Sequence, residues 1–181
     1  MTRDHGGAAA RAFSVDVGRL RHQSGAIMEV ARKGHLSELQ MPYAWVPREA
    51  EVSVDATLEA AGDEIVVKAA VTAPYEGECR RCLGPVAGEV RARLREIFSP
   101  KGDGAGGRFE LVYPLRGENV DLAPLARDAV LLELPQAPLC RPDCAGLCPS
   151  CGAELNEGPC GCPTAATDSR WAALEQLRHN A

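Results

Sequence analysis

From Glu51 to Ala60 apolar and polar side chains alternate without a break. Val52, Val54, Ala56, Leu58 and Ala60 fall on one side, Glu51, Ser53, Asp55, Thr57 and Glu59 on the other. A period of two belongs to a half-buried strand. Gly62-Asp63 supplies a turn, and Ile65, Val67, Ala69, Val71 and Ala73 continue the alternation as a partner strand. After a second turn, from Cys79 to Gly84, Val86, Val90, Ala92, Leu94 and Phe98 form a third apolar row, backed by Glu89, Arg91, Arg93 and Arg95. Three strands joined by short turns predict an antiparallel sheet with one face packed and one wet.

The flanks are less regular. Phe13 to Gly25 reads as a short extended piece ending in a turn, Ile27 to Ala31 as another strand, and His35 to Arg48 as irregular chain with Tyr43 and Trp45 packed down. Ser99 to Gly107 is a Gly-rich loop, and Phe109 to Tyr113 a returning strand. A helix is expected from Asp121, its N-cap, with Pro124 tolerated in the first turn and Pro135 ending it. Leu122, Leu125, Ala129 and Leu132 mark its face, widened by Val130 and Leu131, which suits covering the apolar side of the sheet. Asp168 to Arg178 predicts a second, short helix with Trp171, Leu174 and Leu177 on one side.

The pattern therefore predicts an α+β fold, an antiparallel β-sheet of about five to six strands packed by one long helix. A Cys-rich segment and the short helix follow. In terms of domains, residues 1–11 form a disordered lead, 12–138 the sheet-plus-helix domain, and 139–181 the Cys-rich tail with its terminal helix.

Composition narrows the class. Aromatic residues make up only 4% of the 181 residues, so the core must rest on Val, Leu, Ile and Ala. No apolar run approaches the ~18 residues that cross a bilayer, and the N-terminus lacks the apolar stretch of a secretory signal. The expected location is the cytoplasm, with no membrane partner and with thiols kept reduced. A formal charge of −5 argues against coating nucleic acid by bulk electrostatics. Either a local basic patch contacts RNA, or the partner is itself basic.

Reduced thiols give the eight cysteines their meaning. Six lie between Cys140 and Cys162, a polar segment with too few apolar side chains to order itself; Cys79 and Cys82 form one more C-x₂-C pair upstream. Structural zinc takes four nitrogen or sulfur ligands, usually as two close pairs. Cys148 and Cys151 are followed directly by Gly152, and Cys79 and Cys82 reach Gly84 two residues on, so both read as zinc knuckles. The favoured division is one site from Cys79, Cys82, Cys140 and Cys144, and a second, ribbon-like site from Cys148, Cys151, Cys160 and Cys162. A cross-braced alternative pairs Cys140 and Cys144 with Cys160 and Cys162. Two Zn²⁺ ions are thus expected, and two four-thiolate sites would carry the net charge from −5 to −9.

Other cysteine chemistries fit less well. Cys144-x₃-Cys148-x₂-Cys151 has the spacing of a radical S-adenosylmethionine [4Fe–4S] site, yet the large barrel that follows such a site has no room in the thirty residues left. A redox C-x₂-C needs a strand–helix context, whereas Cys79 and Cys82 lie between two strands. An Fe–S or redox protein is therefore the remote alternative. His5, His22, His35 and His179 stand outside the clusters and read as surface residues. No hydrolytic constellation or phosphate-binding loop is present, and four-thiolate zinc leaves no open position for substrate water. A zinc-stabilised binding protein is expected, with no catalytic residues and no small-molecule substrate.

Four runs carry a family resemblance. They are C-R-R-C-L at Cys79–Leu83, D-L-A-P-L-A-R-D-A-V-L-L-E-L-P at Asp121–Pro135, Leu139-Cys140 leading to G-L-C-P-S-C-G-A-E-L-N at Gly146–Asn156, and D-S-R-W-A-A-L at Asp168–Leu174. Together with F-S-V-D-V at Phe13–Val17 they resemble the YceD family of large ribosomal RNA subunit accumulation proteins, in its Cys-rich actinobacterial form. Ser169 departs from the Pro usual in that last run. The resemblance implies a non-enzymatic role in accumulating or processing 23S rRNA and building the 50S subunit. The implied partner is 23S rRNA or a 50S precursor. A basic zinc-ribbon ribosomal protein of the large subunit is also suggested, since family members are often encoded beside one. Candidate RNA or partner contacts are Arg80, Arg81, Arg91, Arg93, Arg95 and Arg141. The alternative reading is an acidic chaperone that holds such a basic ribosomal protein.

Overall fold

The structure, a computed structural model, describes residues 12–100 and 112–163. The expected lead at 1–11, the return strand from Phe109 to Leu111 and the helix from Asp168 to Arg178 lie outside the described residues.

The three alternating runs become the centre of the molecule. Strand β5 (Val52–Ala61) pairs with β6 (Glu64–Glu78), and β6 pairs along its whole length with β7 (Pro85–Ser99), all antiparallel. The inward rows are the predicted ones: Val52, Val54, Leu58, Ile65, Val67, Val71, Ala73 and Phe98 are all buried. β6 runs past the expected end at Ala73 because a further strand takes over on one side. There β4 (Ala44–Trp45), the inner arm of a small hairpin with β3 (Gln40–Met41), pairs with Glu76 and Gly77. The segment His35–Arg48 is thus not irregular throughout. Beyond β5 lies β2 (Ile27–Gly34), three residues longer than its alternation suggested.

Among the described residues seven strands form this sheet, and not every pairing in it is antiparallel. Strand β8 (Val112–Pro114) runs parallel to the end of β7. β1 (Ser14–Asp16) and β9 (Asn119–Asp121) make a separate two-stranded ladder that leads into the main helix.

The single long helix is corrected to two helices among the described residues. One is α1 (Gly18–Arg21); the other is α2 (Leu122–Glu133), of 12 residues. Asp121 caps α2 by accepting from the Ala123 N–H at 3.0 Å. The helix buries Leu122, Leu125, Ala126, Ala129 and Val130 and touches β5, β6 and β7. Leu132, expected on that face, is 85% exposed. The helix rotates so that the i, i+3, i+4, i+7, i+8 set faces the sheet, which leaves Leu132 on the far side.

Alternation on β7 also breaks at Glu96, which shares the inner side with Leu94 and Phe98. It lies near Asp128 of α2, and burial together with that neighbouring charge raises its carboxyl pKa. Tyr113 donates to Asp128 at 2.7 Å.

Candidate metal centres

The knuckle that joins β6 to β7 is a short turn closed by its own backbone. Cys79 N–H donates to Gly84 O at 2.8 Å, and Leu83 N–H returns to Cys79 O at 2.9 Å. The expected glycine is displaced by one place. Leu83, not Gly84, holds the left-handed conformation, at φ 59. In the second knuckle Gly152 holds it, at φ +74, directly after Cys151. A leucine in that conformation costs about 1 kcal/mol or more, and this one is also 61% exposed.

Two sets of four sulfurs converge. Cys79, Cys82, Cys140 and Cys144 form one, Cys148, Cys151, Cys160 and Cys162 the other, and within each set all sulfurs lie within 4.8 Å of one another. Cys140 and Cys144 stand with the sheet's knuckle rather than with Cys160 and Cys162. All eight cysteines are free thiols. A tetrahedron with metal–sulfur bonds of about 2.3 Å has edges of about 3.8 Å. Cys79 Sγ is 3.8 Å from Cys144 Sγ, and Cys82 Sγ is 3.7 Å from Cys140 Sγ. The first set therefore has the dimensions of a four-sulfur metal site, a donor set that suits zinc or iron.

The electrostatics around the sulfurs point the same way. Cys79 is fully buried, yet the Cys82 N–H aimed at its sulfur holds the thiol down to about 6 against the opposing effect of burial. Cys148 is likewise held at about 6 by the N–H groups of Cys151 and Ser150. The Asn156 amide lowers Cys144. By contrast Cys140 is pushed up to about 12, first by Cys144, and Cys162 up to about 11, first by Cys151. Four thiolates cannot crowd together without a cation between them. Loading a divalent ion at neutral pH should therefore release the protons of Cys140 and Cys162, and binding should tighten as pH rises. Below about pH 6 the metal-free forms of Cys79 and Cys148 take up protons as well, so affinity should fall more steeply there and metal should be lost as the pH is lowered further. Chromogenic titration of released metal against pH tests this; retention unchanged down to about pH 3.5 would contradict it.

The two centres are joined by one short stretch of chain. Gly146 sits between them at φ +78, and a Cβ there would lie 3.0 Å from Arg81 O. Leu147 N–H donates to that same oxygen at 3.1 Å. Leu147 then bridges to Glu154, starting the ribbon that carries Cys148 and Cys151. Asn156 reaches back from the ribbon. Its amide donates to Cys144 Sγ at 3.4 Å, and its oxygen accepts from Ala145 N–H at 2.8 Å and from Arg141 at 2.7 Å. Asn156 and Gly146 were quoted in the sequence motif without a role; only the fold shows that they hold one centre against the other.

The six candidate arginines divide. The guanidinium of Arg81 donates to Cys144 O at 2.8 Å, Arg141 is held by Asn156 and lies 3.6 Å from Asp143, and Arg80 lies over the Tyr43 ring at 3.7 Å. These three are engaged around the first centre. Arg91, Arg93 and Arg95 point outward from β7, with Lys68 opposite Arg95. Arg91 pairs with Glu89, whereas Arg93 and Arg95 have no partner among the described residues.

Comparison with known proteins gives this arrangement its context. The family model for "Large ribosomal RNA subunit accumulation protein YceD" matches residues 67–178, more than half of the chain. The protein belongs to the YceD family. An uncharacterized protein of Mycobacterium tuberculosis is 36% identical over 98% of this chain and 88% of its own length, and one of Mycobacterium leprae 32% over 98% and 84%. A chloroplastic YCED homolog of Arabidopsis thaliana is 33% identical over 38% of this chain and 22% of its own. No solved structure matches. The YceD match takes in β7, α2 and all eight cysteines. No helix among the described residues is long and apolar enough to cross a membrane.

Proposed function

We propose that the protein supports accumulation of large-subunit ribosomal RNA by binding 23S rRNA, or a 50S precursor that contains it, in the cytoplasm. In this reading two zinc ions, one in each cysteine set, hold residues 139–163 as a metal-ordered tail against the sheet. They shape a docking surface rather than a reaction centre. A closed four-thiolate ion leaves no position for a substrate.

The observation that supports RNA binding is the row Arg91, Arg93 and Arg95 on the wet side of β7. Alternate residues of a strand stand about 7 Å apart on one side, a step similar to that between neighbouring phosphates of an extended strand. β6 flanks this row on one edge, β8 reaches only Ile97–Ser99 on the other, and all three arginines are exposed on the face of the sheet, so the guanidinium groups are open to a ligand. Arg80, Arg81 and Arg141 contribute by holding the knuckle and tail in place.

Replacing all three row arginines, Arg91→Gln, Arg93→Gln and Arg95→Gln, should weaken binding to 23S fragments about tenfold or more. It should also flatten the salt dependence by roughly two units of slope. Bound metal should not change. Equal affinity and an equal salt slope in the triple variant would overturn the assignment.

A further inference from the structure

The wet side of β6 and β7 reverses its charge along its length. At the far end from the knuckle stand Lys68, Arg91, Arg93 and Arg95. At the knuckle end Trp45, Glu76 and Ala87 line up across three strands, and Glu78 stands beside Pro85. These residues border a groove of about 590 Å³ lined by Trp45, Glu76, Glu78, Leu83, Pro85 and Val86. A second groove of about 620 Å³ shares Trp45 and Glu76 and extends to Glu38 and Glu49. Glu38 is paired with Arg127 at 3.1 Å, and Arg48 also lines this second groove. Glu49, Glu76 and Glu78 have no cationic partner among the described residues.

We propose that this acidic, apolar groove beside the first metal centre docks a basic segment of a partner polypeptide, with an apolar anchor against Leu83 and Trp45. Leu83 carries the argument. Folding alone favours glycine at that place, as in the second knuckle, and favours a polar side chain at that exposure. A leucine that satisfies neither preference, and that nothing among the described residues covers, fits a contact with a partner. Charge selects the partner. Carboxylates at 76 and 78 repel phosphates but attract lysine and arginine, whose aliphatic stems also suit the Trp45 ring. This goes beyond the rRNA reading and does not depend on it, because the two ligands would use opposite ends of one surface.

The test uses the full-length, zinc-loaded protein and a short fluorescein-labelled peptide alternating lysine with leucine. Controls are a glutamate–leucine peptide and a lysine–serine peptide. Fluorescence polarisation should show binding of the lysine–leucine peptide, with both controls weaker. The double variant Glu76→Gln, Glu78→Gln and the single variant Leu83→Gly should each weaken it about tenfold. Leu83→Gly should melt no lower than the parent, since glycine relaxes the turn, so lost binding there is not lost folding. The Arg91, Arg93, Arg95 variant should keep peptide affinity, and the Glu76, Glu78 variant should keep RNA affinity. Unchanged peptide affinity in both groove variants would overturn the proposal, as would equal binding of the glutamate peptide. Much tighter binding after removal of residues 164–181 would also overturn it, because the groove would then belong to the chain's own terminus. Failure of the RNA reading shows separately, in the arginine variant with RNA.

Discussion

Stripped of metal by a strong chelator under reducing conditions, the protein should lose order between residues 139 and 163 and keep its sheet. The reason lies in where the apolar side chains are. Among the described residues the hydrophobic core runs from Phe13 to Leu134 and takes none from 139–163. Within the tail the buried residues are Cys144, Gly146 and Cys148, which are ligand candidates or the glycine between them. Nothing apolar within residues 139–163 replaces the metal once it leaves. Structural zinc contributes roughly 10–16 kcal/mol of apparent binding free energy at neutral pH, comparable to the whole stability of a typical domain, about 5–15 kcal/mol. Hydrogen exchange should therefore show near-complete loss of protection at Leu147 and Cys148, whose N–H groups bond to Arg81 O and Ala153 O. Protection along β5, β6 and β7 should persist. A tail equally protected with and without chelator would contradict the assignment.

Gly146→Val should be the most damaging single substitution within residues 139–163 outside the cysteines. The residue is buried at φ +78, and any Cβ there meets the Arg81 carbonyl at 3.0 Å. A β-branched side chain adds left-handed strain to that clash, for a cost of roughly 2–5 kcal/mol. The chain cannot move aside easily. Cys144 lies two residues before it in the first centre, and Cys148 two residues after in the second. The expected result is a lower melting temperature and faster exchange at Leu147, because the bond to Arg81 O breaks as the ribbon lifts from the knuckle. Gly152→Ala is the control. That position has φ +74 but nothing within 4 Å of a Cβ, so only the backbone strain of about 1 kcal/mol applies. Equal melting shifts for the two variants would mean that the packing of Gly146 on Arg81 is unimportant.

Much of the sheet could be read from the sequence because β5, β6 and β7 are each dry on one side and wet on the other. A period of two is then written directly into residue type. Where that contrast fades, so did the reading. β3 and β4 are two residues each, too short to show a period, and the parallel pairing of β8 depends on tertiary neighbours that no local pattern records. Leu132 illustrates the limit on helices: Leu131, Leu132 and Ala129 are all apolar, and only the packed sheet selects which arc turns inward. The convergence of cysteines was suggested by spacing, since each C-x₂-C forms a local turn and the remaining four fall into two close pairs. Their supports were not legible. Asn156 bonds Cys144 across twelve positions, and the left-handed conformation falls on Leu83 because the turn imposes it on the position directly after the second cysteine, whatever side chain stands there.

Native mass spectrometry of the reduced protein, purified without added metal, tests the central claim most directly. The account predicts two zinc ions per chain, falling to one when Cys148 and Cys151 are replaced by serine. A chain that carries no metal while residues 139–163 remain fully protected from exchange would contradict it.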